Sequence, residues 1–282
     1  MEAKEKRELQ KMALHIRRGI IEEVYNAKSG HPGGSLSAAD MLNYLYFNVM
    51  NVDPKDPKKA DRDRFVLSKG HAAPGLYSVL AHRGFFPVED LKTLRKVDSY
   101  LQGHPNMNTV PGVDMSTGSL GQGISCAAGM ALAAKVGGES YHTYVMLGDG
   151  ELQEGQVWEA AMFAGAKKLD NLTAIVDNNN LQIDGTVEEV CSPYPITDKF
   201  AAFNWHVVEL DDAHDYEKIE AAFAKAKTLS GKPVAIVMKS VKGNSISFME
   251  NNCNWHGAAP NDEQYGIAMG ELNEQLTRLE VE

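Results

Sequence analysis

Apolar residues recur along this chain on two different periods, and the changes from one to the other divide it into helices and strands. Over residues 3–28, Leu9, Met12, Ala13, Ile16, Ile20 and Val24 trace one helical face until SerGlyHisProGlyGly halts it. Helical spacing predicts further helices near 38–49, 74–83, 87–97, 151–167 and 215–229, and one that opens within 116–125 and runs to about Lys135. A closing helix over 261–280 carries Met269, Leu272, Leu276 and Leu279 as its stripe. Short runs rich in β-branched and aromatic residues at 64–68, 141–147, 172–177, 205–210 and 233–239 read as strands. Strands alternating with helices predict an α/β fold, an open and mainly parallel sheet of at least five strands with helices on both faces. At 282 residues one domain, 1–282, is the expected organisation.

The stretch 141–185 is the centre of this pattern. TyrHisThrTyrValMetLeu ends in Gly-Asp-Gly, and LeuThrAlaIleValAsp ends in Asn-Asn-Asn. Between them Val157, Ala160, Ala161 and Ala164 at helical spacing predict the crossover of a right-handed βαβ unit. Its two strands run parallel, so both carboxyl ends open on the edge where such sheets bind ligands. Asp149 and Asn179, thirty positions apart, lie on that edge and offer a carboxylate and an amide oxygen. Mg²⁺ suits such a pair when ligand phosphates complete its shell. A helix starting near Glu151 would add its amino-terminal dipole for a diphosphate. A dinucleotide fingerprint fits less well, because the third glycine is displaced and Asp149 would repel pyrophosphate unless a metal intervened. Taken alone, Gly-Asp-Gly also reads as an ordinary turn with Asp149 capping the helix.

The formal charge of −10 argues against a nucleic-acid or anionic-membrane surface, so phosphate must be attracted locally. No stretch has the apolar length of a signal peptide or a membrane span, and a cytosolic protein is expected. Cys126, Cys191 and Cys253 share no metal-like spacing, and neither a disulfide framework nor a zinc site is expected from them.

Three histidines each follow a glycine in a loop. His31 lies among Gly30, Pro32, Gly33 and Gly34, His71 follows the strand at 64–68, and His104 sits in Gly-His-Pro. Each could be a plain loop histidine, but glycine-rich backbone also lets a ligand come close. His15, His82, His142, His206 and His214 lack such loops and read as structural or solvated. Gly121, Gly123, Ala127, Ala128, Gly129 and Ala131 permit close helix packing, which alone accounts for them.

GlyAspGlyGluLeuGlnGluGlyGlnValTrpGluAla, with Asn179 thirty residues after its aspartate, resembles the thiamine diphosphate motif of transketolases. SerGlyHisProGlyGlySerLeuSer and LysGlyHisAlaAlaProGly resemble that family's first two histidine loops, and the likeness spans nearly all of residues 5–260. Lys69 and Ser119 depart from the residues common in relatives, the latter from a proline. The resemblance implies transfer of a two-carbon ketol unit from a ketose phosphate to an aldose phosphate, with thiamine diphosphate and Mg²⁺ as cofactors. Ca²⁺ or Mn²⁺ could stand in for the metal. It implies Asp149, Asn179 and the carbonyl of Leu181 as metal ligands and Gly150 against the diphosphate. Backbone at Gly118 and Leu120 would touch the aminopyrimidine. His31 and His256 would handle substrate hydroxyl protons, His256 closing over the diphosphate. His104 would hold the donor's terminal hydroxyl, and His71 would line the cofactor and substrate entrance.

Glu154 and Glu159 resemble the carboxylates that reach the family's subunit interface, although both also read as solvated helix charges. The glutamate that polarises the aminopyrimidine lies, in the family, in a second domain that this sequence does not reach. A separately encoded carboxy-terminal subunit is therefore expected, most simply in a two-fold symmetric heterotetramer, with 118–135 and 154–163, including Trp158, as the contact face. Two other readings stay open. One is another thiamine diphosphate enzyme, such as a 2-oxoacid dehydrogenase α subunit or a deoxyxylulose phosphate synthase, and the other is a non-catalytic cofactor-binding subunit.

Overall fold

In the computed structural model, which describes residues 1–281, strand side chains alternate between two buried faces. The strands are β1 (Arg64–Leu67), β2 (Thr143–Gly148), β3 (Leu172–Asn178), the short hairpin β4 (Leu181–Gln182) and β5 (Gly185–Thr186), β6 (His206–Leu210) and β7 (Val234–Lys239). Five of them form one parallel sheet in the order β1-β2-β3-β7-β6. Phe65, Leu67, Tyr144, Met146, Ile175, Ile236 and Met238 point to one face, and Val66, Val145, Leu147, Ala174, Val176, Ala235 and Val237 to the other. Burial on both faces is why these strands are apolar throughout rather than at every second position.

The helices divide accordingly. On the first side lie α1 (Ala3–Ala27), α3 (Ala39–Tyr44), α4 (Ala73–Arg83) and α9 (Tyr216–Lys227), with α10 (Asp262–Val281) packed on α1. The second face takes α5 (Gly123–Gly137), α6 (Gly155–Ala166) and α8 (Ile196–Ala202), while α2 (Pro32–Ser37) and α7 (Val187–Cys191) are short connectors. Ala127, Ala128 and Ala131 of α5 and Ala160, Ala161 and Ala164 of α6 are all buried, so small side chains do allow the close approach expected of them. Phe200 anchors this layer, its ring centroid 5.4 Å from Trp158 and 5.2 Å from Trp205. Truncating a side chain so enclosed costs about 3–5 kcal/mol.

Several boundaries differ from the sequence expectation, each for a local reason. The helix expected at 38–49 begins earlier, at Pro32, where the missing amide proton is not needed, and it breaks into α2, α3 and a π-helical turn at Leu45–Val49. Residues 87–97 form only a 3₁₀ turn, Val88–Thr93, because Arg95 and Asp98 adopt positive φ angles of 58° and 67°. The crossover α6 starts at Gly155 rather than near Glu151. Glu151 lies in a 3₁₀ turn, Gly150–Gln153, with its side chain drawn inward. The strand end at Gly148 therefore faces one short turn and not a full helix dipole. No helix is long and apolar enough to cross a membrane among the described residues.

Candidate functional site

Because the sheet is parallel, four strand ends converge. Lys69 and His71 follow β1, Asp149 follows β2, Asn179 follows β3 and Lys242 follows β7. They bound a cavity of about 340 Å³. His31, His71, Gly118, Leu120, Asp149, Gly150, Glu154, Asn179, Leu181 and His256, all expected from the sequence, line it. His104 and Glu159 do not. A larger cleft of about 640 Å³ near Arg62 and Met107 holds a satisfied Arg62–Asp114 ion pair and none of these strand ends.

Two neighbouring aspartates on this edge are in opposite condition. Asp177, fully buried at the end of β3, accepts hydrogen bonds from Lys69 Nζ, Ser37 Oγ and Ser240 Oγ. Burial alone would raise its pKa, but the Lys69 ammonium and these donors outweigh it and hold the carboxyl below its ordinary value. Asp149 is 2% exposed, and its oxygens accept only from the backbone N–H groups of Gly150, at 2.8 Å, and Asn180. No cationic side chain lies within ion-pairing distance of it among the described residues. Burial, and then repulsion from Asp177, push its pKa up to about 6.

Asp149 is thus a buried anion short of a counter-charge, and a hard cation would supply one. Asn179 Oδ1 accepts from its own turn, Leu181 N at 3.1 Å, and the Leu181 carbonyl accepts from Lys242 Nζ at 2.8 Å. Each of these oxygens retains one lone pair. Among the described residues no group of three or more His, Cys, Asp or Glu side chains could ring a metal. A cation here would draw on one carboxylate, one amide and one carbonyl, leaving the rest of its shell to ligand phosphates and water. The residues present fit such a pair of groups. Gly150 is expected against a diphosphate; its N–H donates to Asp149, so Gly150 offers that ligand chiefly an approach unhindered by a Cβ.

Above this floor three imidazoles meet. The His31 and His71 ring centroids are 5.2 Å apart, His31 and His256 5.6 Å, and His71 and His256 5.0 Å. All three are held neutral. Burial lowers His31 to about 4, helped by Arg95 and His104. Burial and then Lys242 lower His256 to about 3, and burial followed by Lys69 carries His71 well below its ordinary value. Lys242 Nζ lies 2.9 Å from His256 Nδ1, so that nitrogen accepts and Nε2 carries the proton. His31 Nδ1 is buried with no hydrogen-bond partner among the described residues. His104 is exposed outside this lining, its ring against Gly118. At Gly118, φ is +154°, and a Cβ would lie 3.0 Å from the His104 ring, so the loop needs glycine there.

Of the remaining histidines, His142 bonds Thr173 Oγ1 at 2.8 Å and His206 bonds the Ser230 carbonyl at 3.1 Å, as structural residues do. His214 is structural rather than solvated, its Nδ1 2.7 Å from Asp40. The three cysteines are free thiols.

On the expected contact face, Glu154 and Glu159 are exposed beside Met162 and Phe163, which are 56% and 40% exposed. Trp158, expected on that face, is half-buried there. Its indole N–H donates to the Leu152 carbonyl at 2.8 Å, and its ring packs on Phe200.

Four side chains at work in this site are not singled out by sequence reasoning. Lys69 stands out only as a departure from relatives, Asp177 and Lys242 carry no motif, and Glu151 marks only an expected helix start. The Glu151 carboxylate accepts from Ser68 Oγ, from Gly121 N at 2.9 Å and from Gly148 N at 3.1 Å, tying together two strand ends and the 118–122 loop. The signal that could find them is an acid or a lysine directly at the end of an otherwise apolar strand.

Residues 9–271 match the family model described as "Transketolase, thiamine diphosphate binding domain". The chain is 44% identical over 268 residues to the 6-deoxy-6-sulfo-D-fructose transketolase subunit of a Clostridium species, covering 95% of this chain and 97% of that protein. It is also 44% identical to one of the subunits of the apulose-4-phosphate transketolase of Phocaeicola vulgatus, covering 94% of each. Among solved structures, the transketolase of Campylobacter jejuni superposes with a TM-score of 0.89 at 34% identity, covering 99% of this chain and 46% of that one. The chain thus spans about half the length of that transketolase, while it matches the two subunits nearly end to end.

Proposed function

The chain belongs to the transketolase family, as its thiamine diphosphate-binding part, and from that premise we propose that it is the amino-terminal subunit of a two-chain transketolase. Its reaction is the transfer of a two-carbon ketol unit from a ketose phosphate to an aldose phosphate. The observation that carries this reading is the uncompensated Asp149 at the parallel strand ends, facing a cluster of neutral histidines. Thiamine diphosphate supplies, when bound, the electron sink that lets a carbon–carbon bond beside a ketone break.

Asp149, Asn179 and the Leu181 carbonyl would hold Mg²⁺, or Ca²⁺ or Mn²⁺ in its place, with diphosphate oxygens completing the shell. Gly150 permits close approach of the diphosphate, and the ammonium of Lys242 adds charge complementarity there. Backbone at Gly118 and Leu120 would take the aminopyrimidine. Near pH 7, His31 and His256 are neutral and able to accept a hydroxyl proton or to donate through a ring N–H. His104, exposed beside Gly118, would hold the donor's terminal hydroxyl where the substrate extends past this cavity, and His71 would wall the entrance.

The remaining wall comes, in this reading, from a separately encoded carboxy-terminal chain. The relatives matched nearly end to end are named as subunits, which supports it. Glu154 and Glu159, with the exposed Met162 and Phe163, offer that chain a mixed acidic and apolar face. A two-fold symmetric heterotetramer in the cytoplasm is the simplest assembly. The sugars named for the two relatives both carry an anionic group, and sugar phosphates are the substrates proposed here. Assaying the paired chains for ketol transfer between sugar phosphates and for release of CO₂ from 2-oxoacids tests the reaction. Ketol transfer without decarboxylation is expected, and decarboxylation alone would assign the chain to the 2-oxoacid dehydrogenase type.

A further inference from the structure

The segment that follows β7 carries two site residues, Lys242 and His256, yet it belongs to neither a strand nor a long helix. Its first turn is tied down from the side away from the cleft. The Val241 amide donates to His214 Nε2 at 3.0 Å. An amide N–H can only donate, so Nε2 presents its lone pair, and the ring proton must sit on Nδ1, 2.7 Å from Asp40 Oδ2.

Asp40 is itself held in place. Arg17 donates to both of its oxygens, at 3.0 and 2.5 Å, and Tyr216 OH donates to Oδ1 at 3.3 Å. Arg17 and Asp40 are 2% and 4% exposed. The same Arg17 NH2 donates to Asn244 Oδ1 at 2.7 Å, three residues beyond Val241. One buried carboxylate on α3 thus fixes both ends of the turn Val241–Asn244, through an imidazole at one end and a guanidinium at the other. Between these ties Lys242 reaches the cleft side, to the Leu181 carbonyl and to His256 Nδ1. Gly243 N donates to the Gly33 carbonyl at 3.0 Å, joining the turn to the helix that starts beside His31. Neither Asp40 nor His214 lines the cleft, and no feature of the proposed reaction uses them.

We propose that His214, its ring oriented by Asp40, clamps the strap 241–256 through the Val241 amide, which makes His214 a positioning residue for Lys242 and His256. The catalytic part of this statement rests on the function proposed above, and the structural part stands without it. The two ring nitrogens do different work, and conservative variants separate them. His214→Gln keeps an acceptor where Nε2 meets Val241, His214→Asn keeps a donor where Nδ1 meets Asp40, and His214→Phe keeps only the ring shape.

The test is amide hydrogen exchange of the full chain, read over 241–256 and over the sheet strands, with turnover of the paired chains as a second readout. Strap exchange should quicken about 10-fold or more in the Asn and Phe variants, stay near wild type in Gln, and leave the strands unchanged. Turnover should follow the same order, kcat falling about 10-fold in Asn and Phe and recovering in Gln, since small displacements of reacting groups act on kcat. Loss of protection in all three variants alike, in none, or in Gln but not Asn overturns the proposal. If Phe fails to fold, the Gln and Asn pair still decides. If the wild type transfers no ketol unit, the proposed function fails while the exchange result still judges the clamp.

Discussion

Lys242 Nζ lies 2.9 Å from His256 Nδ1 and 2.8 Å from the Leu181 carbonyl, so one buried ammonium bridges an imidazole and a backbone oxygen of the proposed metal site. It fixes the His256 tautomer and discourages protonation of that ring. Burial lowers the Lys242 pKa to about 8, opposed by Asp149 and reinforced by Lys69. Filling the cleft with a diphosphate would favour the charged ammonium.

Lys242→Met should therefore raise the pKa of His256 from its present value of about 3. Burial is the larger cause and survives the substitution, so the new value should stay below the ordinary imidazole value of about 6.5. Titration of the ring protons by NMR reads it. An unchanged His256 pKa would show that the ammonium has no part in holding the ring neutral.

A cation binds the ionised form of Asp149, and the raised pKa of about 6 makes protons competitors for it. Affinity for thiamine diphosphate with Mg²⁺ should be flat above pH 7 and fall about 10-fold per unit well below pH 6. Asp149→Asn should weaken it about 100-fold or more at pH 7, as loss of a ligand exceeds typical losses from outer-shell changes. Calorimetric titration at several pH values checks both, and equal affinity in EDTA and in Mg²⁺ would rule out the metal.

Alanine at His31 or at His256 should lower turnover about 10²-fold, the usual scale for a positioned acid–base group. Both rings border the cavity, so thermal unfolding should barely move. A variant that melts many degrees early would mark the residue as structural.

Much of this is legible in the chain alone. Continuous apolar runs such as ValAlaIleValMet mark strands buried on both faces, and Asp149 and Asn179 follow adjacent parallel strands, as the βαβ reading of 141–185 allows. What the sequence hides is polar and long-range. The partners Lys69 and Asp177 are 108 positions apart, and Asp40 and His214 are 174 apart, distances over which no periodicity carries information. Boundaries shift where a side chain overrules local propensity, as where Glu151 turns inward and delays the crossover helix to Gly155.

Stability should fall in acid for a reason visible at His142. Burial lowers its pKa from 6.5 to about 4 in the folded chain, outweighing Asp63 and Asp170. Between those two values the unfolded chain binds a proton that the folded chain refuses, so stability present above pH 6.5 is lost as pH falls towards 4. His31 and His256 act in the same direction. His142→Gln should reduce the loss between pH 7 and pH 5 by on the order of 1–2 kcal/mol. Urea unfolding at the two pH values measures it, and an equal loss in the variant would exclude His142 as a source.

The most direct measurement of the account is ketol transfer by this chain alone and after addition of its partner. The cleft is walled by strand ends and histidines on one side, and the carboxylate that works on the aminopyrimidine is assigned to the other chain. With thiamine diphosphate and Mg²⁺ present, the purified chain should show negligible transfer between xylulose 5-phosphate and ribose 5-phosphate. Adding the separately encoded subunit should bring turnover to an ordinary enzymic rate, on the order of 1 s⁻¹ or faster. Turnover at that rate by the isolated chain would contradict the account.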